Sequence, residues 1–189
     1  MARIPYADLE TAHPKVREMY ESLPVKINLF RMLAHAERNF RPLLELGGTI
    51  LSRQDLDGKL REHAILYVAQ LSGARYEWVQ HVPIGLRAGA SQRQIDALEQ
   101  EDIRADCFDD EERDVLEFTR QVVRDVRPSD QLVAKLCDRL GNRKVIELTL
   151  AIGYYMMMAR LMETTGVDLD RAAGAEIVER LEEAEEGQP

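Results

Sequence analysis

Residues 60–81, LREHAILYVAQLSGARYEWVQH, constrain the fold more than any other stretch of the chain. Leu60, Ala64, Ile65, Val68 and Leu71 recur at the three- and four-residue spacing of one helical face. Ser72 and Gly73 interrupt the pattern. Tyr76 to Ala88 resumes it with Trp78, Val79, Val82, Ile84 and Leu86, and ends at Gly89, a residue suited to a left-handed C-terminal cap. Asp57 stands where the first helix needs an N-cap. The stretch therefore predicts a helical hairpin, and into it the sequence places Glu62, Glu77 and His81, polar groups that core packing alone does not select.

The same periodicity governs the rest. Residues 7–22 predict a short helix with a break or first-turn proline at Pro14, ended at Leu23 and Pro24 because proline disfavours helix in the residue before it. Two helices are expected between Ile27 and Leu51, the second starting at Pro42. Ser91 caps a helix through Ile95 and Leu98, and the acidic run from Asp106 opens another, its early carboxylates matching the positive helix terminus. After Pro128, Ser129 or Asp130 caps a helix closed by Gly141. The most hydrophobic helix follows over 143–165, and a last one over about 170–185 leads into a charged tail, 182–189. No segment alternates with period two. The expected class is all-α, a single-domain bundle of eight or nine helices over 1–189. With 189 residues, 45% of them hydrophobic and 31% charged, such a bundle buries a core without disulfide or metal support.

A net charge of −9 repels phosphate backbones and anionic surfaces, so nucleic acid is not an expected partner. The longest charge-free, mostly apolar run, Leu148 to Ala159, is 12 residues, short of the roughly 20 that cross a bilayer, and no membrane partner is expected. The start, MARIPYADLE, has no apolar core of a secretory signal; the expected address is the cytoplasm, where the two cysteines stay reduced.

Glu77 and His81 are four apart and share a helix face, and Glu62 on the other arm of the hairpin can meet them. A carboxyl group desolvated between helices has its pKa raised, and an imidazole exchanges protons near neutrality, so the trio suits general acid–base chemistry. The competing expectation pairs Glu62 with Arg61 or Lys59 and leaves Glu77 and His81 as a surface pair worth a few tenths of a kcal/mol. Spacing leaves both open. His63 can join Glu77 and His81 as a third ligand, but HExxH and Cys/His spacings are absent and no metal is expected. Cys107 lies among Asp106, Asp109 and Asp110, and Cys137 on an apolar face, so neither is expected to be catalytic.

The stretch REHAILYVAQLSGARYEWVQHVPIGLRAGAS resembles the signature region of the carboxymuconolactone decarboxylase family, whose superfamily also contains the alkylhydroperoxidase D proteins. The resemblance covers about 43–100, and the long apolar helix over 143–165 resembles the later helix of longer members. Peroxidase-type members carry a glutamate, then a CxxC pair, then a histidine four residues after the second cysteine. Glu62 and His81 hold the glutamate and histidine positions, while Ala74 and Glu77 stand where the cysteines are. Thiol peroxidase activity is therefore not expected. The resemblance implies an alkylhydroperoxidase D-like bundle and a cofactor-free, lyase-type acid–base enzyme acting on a small carbonyl acid or lactone. His81 transfers the proton, Glu77 orients its imidazole and Glu62 is a second relay. Arg61, Arg75 and Arg87 are the candidates to anchor a substrate carboxylate, because arginine binds it bidentately. Trimers or hexamers are implied as well. The alternatives are a divergent alkylhydroperoxidase-like protein without thiol peroxidase activity, and a non-catalytic oligomeric binder of a small molecule. A weak internal echo sets Glu147 of the later helix where Glu62 stands in the earlier one.

Overall fold

A computed structural model describes residues 1–186; the end of the charged tail, 187–189, lies outside the described residues. Among the described residues there are ten helices and no strand. They are α1 (Pro14–Ser22), α2 (Asn28–Leu33), α3 (Glu37–Ser52), α4 (Gly58–Ser72), α5 (Arg75–Arg87), α6 (Gln92–Glu99), α7 (Asp110–Asp125), α8 (Asp130–Leu140), α9 (Asn142–Thr165) and α10 (Gly174–Glu186). The count exceeds the sequence expectation by one, and α2, only six residues long, is the shortest of them.

The hairpin forms as its sequence dictates. The Asp57 carboxylate accepts from the backbone N–H groups of Lys59 and Leu60 at 3.0 and 3.1 Å, satisfying donors that a helix start leaves open. Gly73, at φ 63°, makes the left-handed turn that closes α4. Every residue of α4 from Leu60 to Ala69 is buried, the signature of a helix apolar on all sides and enclosed by its neighbours. Those neighbours are α5, α6, α7 and α9. Gly85 allows α5 to close on α4, since a Cβ there lies 3.1 Å from Leu66 Cδ1.

Three boundaries differ from the sequence reading. The third helix starts at Glu37, five residues before Pro42, because Asn39 and Phe40 N–H bond to the Ala36 carbonyl and Phe40 is anchored in the core; Pro42 is carried inside the helix. The acidic run opens its helix at Asp110, where Asp109 and Glu112 cap each other's backbone. The last helix starts at Gly174 instead of Asp170 because the preceding segment is held as a strap. Asp170 accepts from the Asn28 backbone at 2.6 Å and from the Tyr76 hydroxyl at 2.5 Å. The Gln80 amide donates to the Arg171 carbonyl at 2.9 Å and accepts from the Ala173 N–H at 2.8 Å. Gly174 rests on the Gln80 carbonyl so closely that a side chain cannot fit, and α10 is thereby laid over α5 and α3.

Helix α9 runs 24 residues, twice the charge-free stretch that marks it in the sequence. It is long and apolar enough to cross a membrane by length and composition, yet half of its most apolar 18-residue window is buried inside the protein. That burial is what a core helix shows. Glu147 does not reproduce Glu62: its carboxylate accepts from the Leu56 N–H at 2.8 Å and from Arg143 at 3.1 Å, and so fixes the loop leading into α4.

Candidate functional site

An apolar cavity of about 150 Å³ lies between α2, α3, α5, α9 and α10. Leu29, Phe30 and Leu33 of α2, Leu44 and Leu51 of α3, Met158 and Met162 of α9, and Ile177 and Leu181 of α10 wall it, and Glu77 and His81 of α5 supply chemistry at one side. Gly47 keeps the wall open beneath Tyr154, whose hydroxyl is 2.5 Å from where a Cβ at Gly47 falls. Tyr154 in turn donates to the Leu43 carbonyl at 3.1 Å.

His81 is fixed by what surrounds it. Its Nδ1 lies 2.8 Å from Glu62 Oε2, and the other Glu62 oxygen accepts from Arg61 Nε at 3.2 Å; all three residues are buried. A carboxylate can only accept, so Nδ1 carries the proton of this bond, and in the neutral imidazole the lone pair is on Nε2. Nε2 has no hydrogen-bond partner among the described residues. The Tyr155 ring meets the imidazole edge to face at 4.6 Å between centroids, setting the ring plane. Burial, with the Glu62 charge adding to it, pushes the Tyr155 hydroxyl well above its ordinary range.

Glu77, one turn before His81, is 2% exposed and both carboxyl oxygens are buried without a partner. Burial first, then the charges of Glu62 and Glu163, drive its pKa well above the ordinary carboxyl value. Burial without a partner thus favours the protonated carboxyl, the form that has an O–H to donate. The roles inferred from sequence are thus exchanged: Glu62, not Glu77, holds the imidazole.

The three arginines need a correction. Among the described residues none of them lines the cavity, and no lysine or arginine does. Arg61 is buried in its ion pair with Glu62. Arg75 is exposed, 3.7 Å from Glu99, and Arg87 pairs with Glu182 at 2.6 Å on the surface. Helix geometry explains this, since successive residues turn by about 100° and Arg75, two before Glu77, points away from it.

His63 follows Glu62 directly and therefore faces elsewhere, towards α7. Its Nδ1 is 3.9 Å from Glu112 Oε1, its ring stands edge to face on Phe108, and both ring nitrogens are buried without hydrogen bonds. Lys59 at 2.6 Å and Gln94 at 3.0 Å engage the Glu112 carboxylate. Burial outweighs the pull of Glu112 and lowers the His63 pKa to about 4, so the ring is neutral at pH 7. Cys107 and Cys137 are partly buried and neither borders the cavity. Tyr155, Tyr154, Gly47 and the Gln80 clasp are absent from the sequence-derived site. The only local signal is the GYY run of the long apolar helix, which acquires meaning once α9 packs against α4.

Solved structures define the fold class. A peroxidase-related protein from Ralstonia eutropha with an alkylhydroperoxidase AhpD core superposes with a TM-score of 0.76 at 16% identity, over 96% of each chain. A peroxidase-related protein from Silicibacter sp. gives 0.76 at 14% identity, over 93% of this chain and 95% of that one. The debrominase Bmp8, as a cysteine-to-alanine variant in complex with 2,3,4-tribromopyrrole, gives 0.69 at 15% identity, over 95% and 96%. The protein is an all-helical alkylhydroperoxidase D-like bundle. Residues 38–121 match the carboxymuconolactone decarboxylase family model, so this part of the chain is similar to that family, and the whole chain shares its fold with alkylhydroperoxidase D-like structures. No curated protein matches it in sequence.

Proposed function

We propose that the protein is an acid–base enzyme that moves protons on a small carbonyl compound, of the kind found in a lactone or ketone. One observation carries this: a buried imidazole held at Nδ1 by Glu62 at 2.8 Å borders an apolar cavity one helical turn from Glu77, a buried carboxyl without a partner. His81 Nε2 takes a proton from the carbon beside the carbonyl. The C–H electron pair forms the carbon–carbon double bond, the carbonyl π pair moves to oxygen, and that oxygen takes the Glu77 proton. The resulting imidazolium is held by Glu62. Returning the imidazolium proton to the same carbon, as the enol O–H gives its proton back to Glu77 and the carbonyl re-forms, restores the ketone with its α-hydrogen exchanged. Where a carbon–carbon double bond is conjugated with the enol, protonation at its far carbon instead gives the isomer, and nothing else is consumed. Decarboxylation is favoured less, because the substrate carboxylate finds no cation on the walls.

Incubating the enzyme in D₂O with cyclohexanone and a panel of small ketones and lactones tests this by proton NMR. The α-hydrogen signals disappear faster than in buffer. No acceleration anywhere in the panel counts against the proposal.

The working form is proposed to be a homo-oligomer. Ile146, Leu150 and Met157 of α9 are exposed on one face, with Gly153 between them open to solvent. Their spacing of four, three and four residues is that of a helix seam, which a second copy of the chain can cover. Light scattering at micromolar concentration is expected to give a multiple of 21.6 kDa, and a Leu150→Lys variant to lower that mass. A monomeric wild-type mass removes the idea.

A further inference from the structure

The walls of the cavity say more about its ligand than the reacting groups do. Most polar groups that border it are already engaged. The Gln80 amide is used at both ends by the strap, the Tyr76 hydroxyl by Asp170 and the Tyr154 hydroxyl by the Leu43 carbonyl. What stays open is the Glu77 carboxyl, His81 Nε2 and the Tyr155 hydroxyl, all on the α5 and α9 side. The opposite walls, from α2, α3 and α10, are hydrocarbon. An apolar cavity of about 150 Å³ accommodates a benzene-sized ring. Among the described residues no lysine or arginine borders it, and Glu62, which holds His81, is already paired with Arg61.

We infer that the site takes an uncharged, six-membered-ring-sized molecule with one carbonyl-type acceptor aimed at Glu77, and that it rejects carboxylates. The inference rests on the proton-transfer reading of Glu77 and His81 but concerns binding alone. A neutral carbonyl gains the Glu77 O–H bond and buries its carbon skeleton against the leucines and methionines. A carboxylate loses its hydration and gains no positive partner. The sequence expectation of an arginine-anchored acid is replaced by the opposite preference.

Three probes of matched shape separate the terms: cyclohexanone, methylenecyclohexane, which lacks the acceptor, and cyclohexanecarboxylate, which is charged. Binding to the full-length protein at pH 7 is measured by calorimetry and by ligand-observed NMR. Cyclohexanone binds most tightly. Methylenecyclohexane is expected to bind about tenfold more weakly, the loss of one buried hydrogen bond. The carboxylate is expected to bind more weakly than cyclohexanone by a factor of about 100 or more. In Glu77→Met, with helical content checked by circular dichroism, the ketone and the alkene become equal. Tyr155→Phe keeps their difference, which assigns the donor to Glu77. The order persists in His81→Asn, so a failure of proton exchange and a failure of this inference are separate results. The inference is overturned if the carboxylate binds within tenfold of the ketone, if ketone and alkene bind alike to the wild type, if Glu77→Met leaves their gap intact, or if none of the three binds.

Discussion

Substituting His81 by Asn lowers the α-proton exchange rate by about 100- to 10,000-fold, the range that a positioned general base contributes. Asparagine fills much of the imidazole's space and can still bond to Glu62, so the cavity persists, but it has no basic nitrogen. Glu62→Gln is expected to fall in the same range for a different reason. Its amide can donate to Nδ1, which moves the imidazole proton to Nε2 and removes the lone pair from the cavity. That change also leaves Arg61 buried without its partner, and breaking a buried pair costs about 3–5 kcal/mol, so its stability is measured beside its rate. The signature is a loss in kcat with little change in the Kd for cyclohexanone. Rates within about threefold of wild type in both folded variants would sink the acid–base assignment.

Glu62, Glu77 and His81 are legible as members of the site through the family resemblance, whereas spacing leaves their pairing open and puts Glu77, not Glu62, on the imidazole; the folded hairpin decides it. Asp57 and Gly73 fix where α4 begins and ends, and its burial on all sides leaves Glu62 no route to solvent. A buried carboxyl on one arm then needs a partner, and His81 on the other arm is that partner. What stayed out of reach is rotation about a helix axis and what distant segments bring. Arg61, Arg75 and Arg87 are equally close in sequence to the site residues, yet only the packing shows that one is spent on Glu62 and two on the surface. The exchange of roles between Glu62 and Glu77 is of the same kind. The cavity itself is built from α2, α3, α9 and α10, elements up to about a hundred residues away, and their apolar side chains look like any core until Gly47 and Gly174 show how closely the walls approach. The strap before α10 was hidden because a helix-compatible sequence is overruled by tertiary bonds to Asp170 and Gln80.

Two buried groups are expected to give the stability of the fold pH limbs of opposite sign, which oppose each other between pH 4.5 and 6.5. His63 is the acid limb. Its folded pKa is lowered from 6.5 to about 4 by burial, so below pH 6.5 the unfolded chain takes up a proton that the folded protein refuses. The His63 contribution is full above 6.5 and declines as pH falls towards 4, by about 3 kcal/mol in total, since each pKa unit is worth about 1.4 kcal/mol. Glu77 is the opposite limb. Its folded pKa lies well above 4.5, so from that pH upwards the unfolded chain releases a proton that the folded protein keeps, and stability is lost as pH rises towards the raised value. Urea unfolding at a series of pH values between 4 and 9 reads both. His63→Leu flattens the acid limb and leaves the other, while Glu77→Met flattens the alkaline limb. Glu77→Met also raises stability at neutral pH by about 1–3 kcal/mol, the cost of a buried polar group without a partner. An unchanged pH profile in either variant removes that group from the account. A more stable Glu77→Met protein that no longer prefers the ketone would tie the cost at this position to ligand recognition, the trade of stability for function that binding sites make.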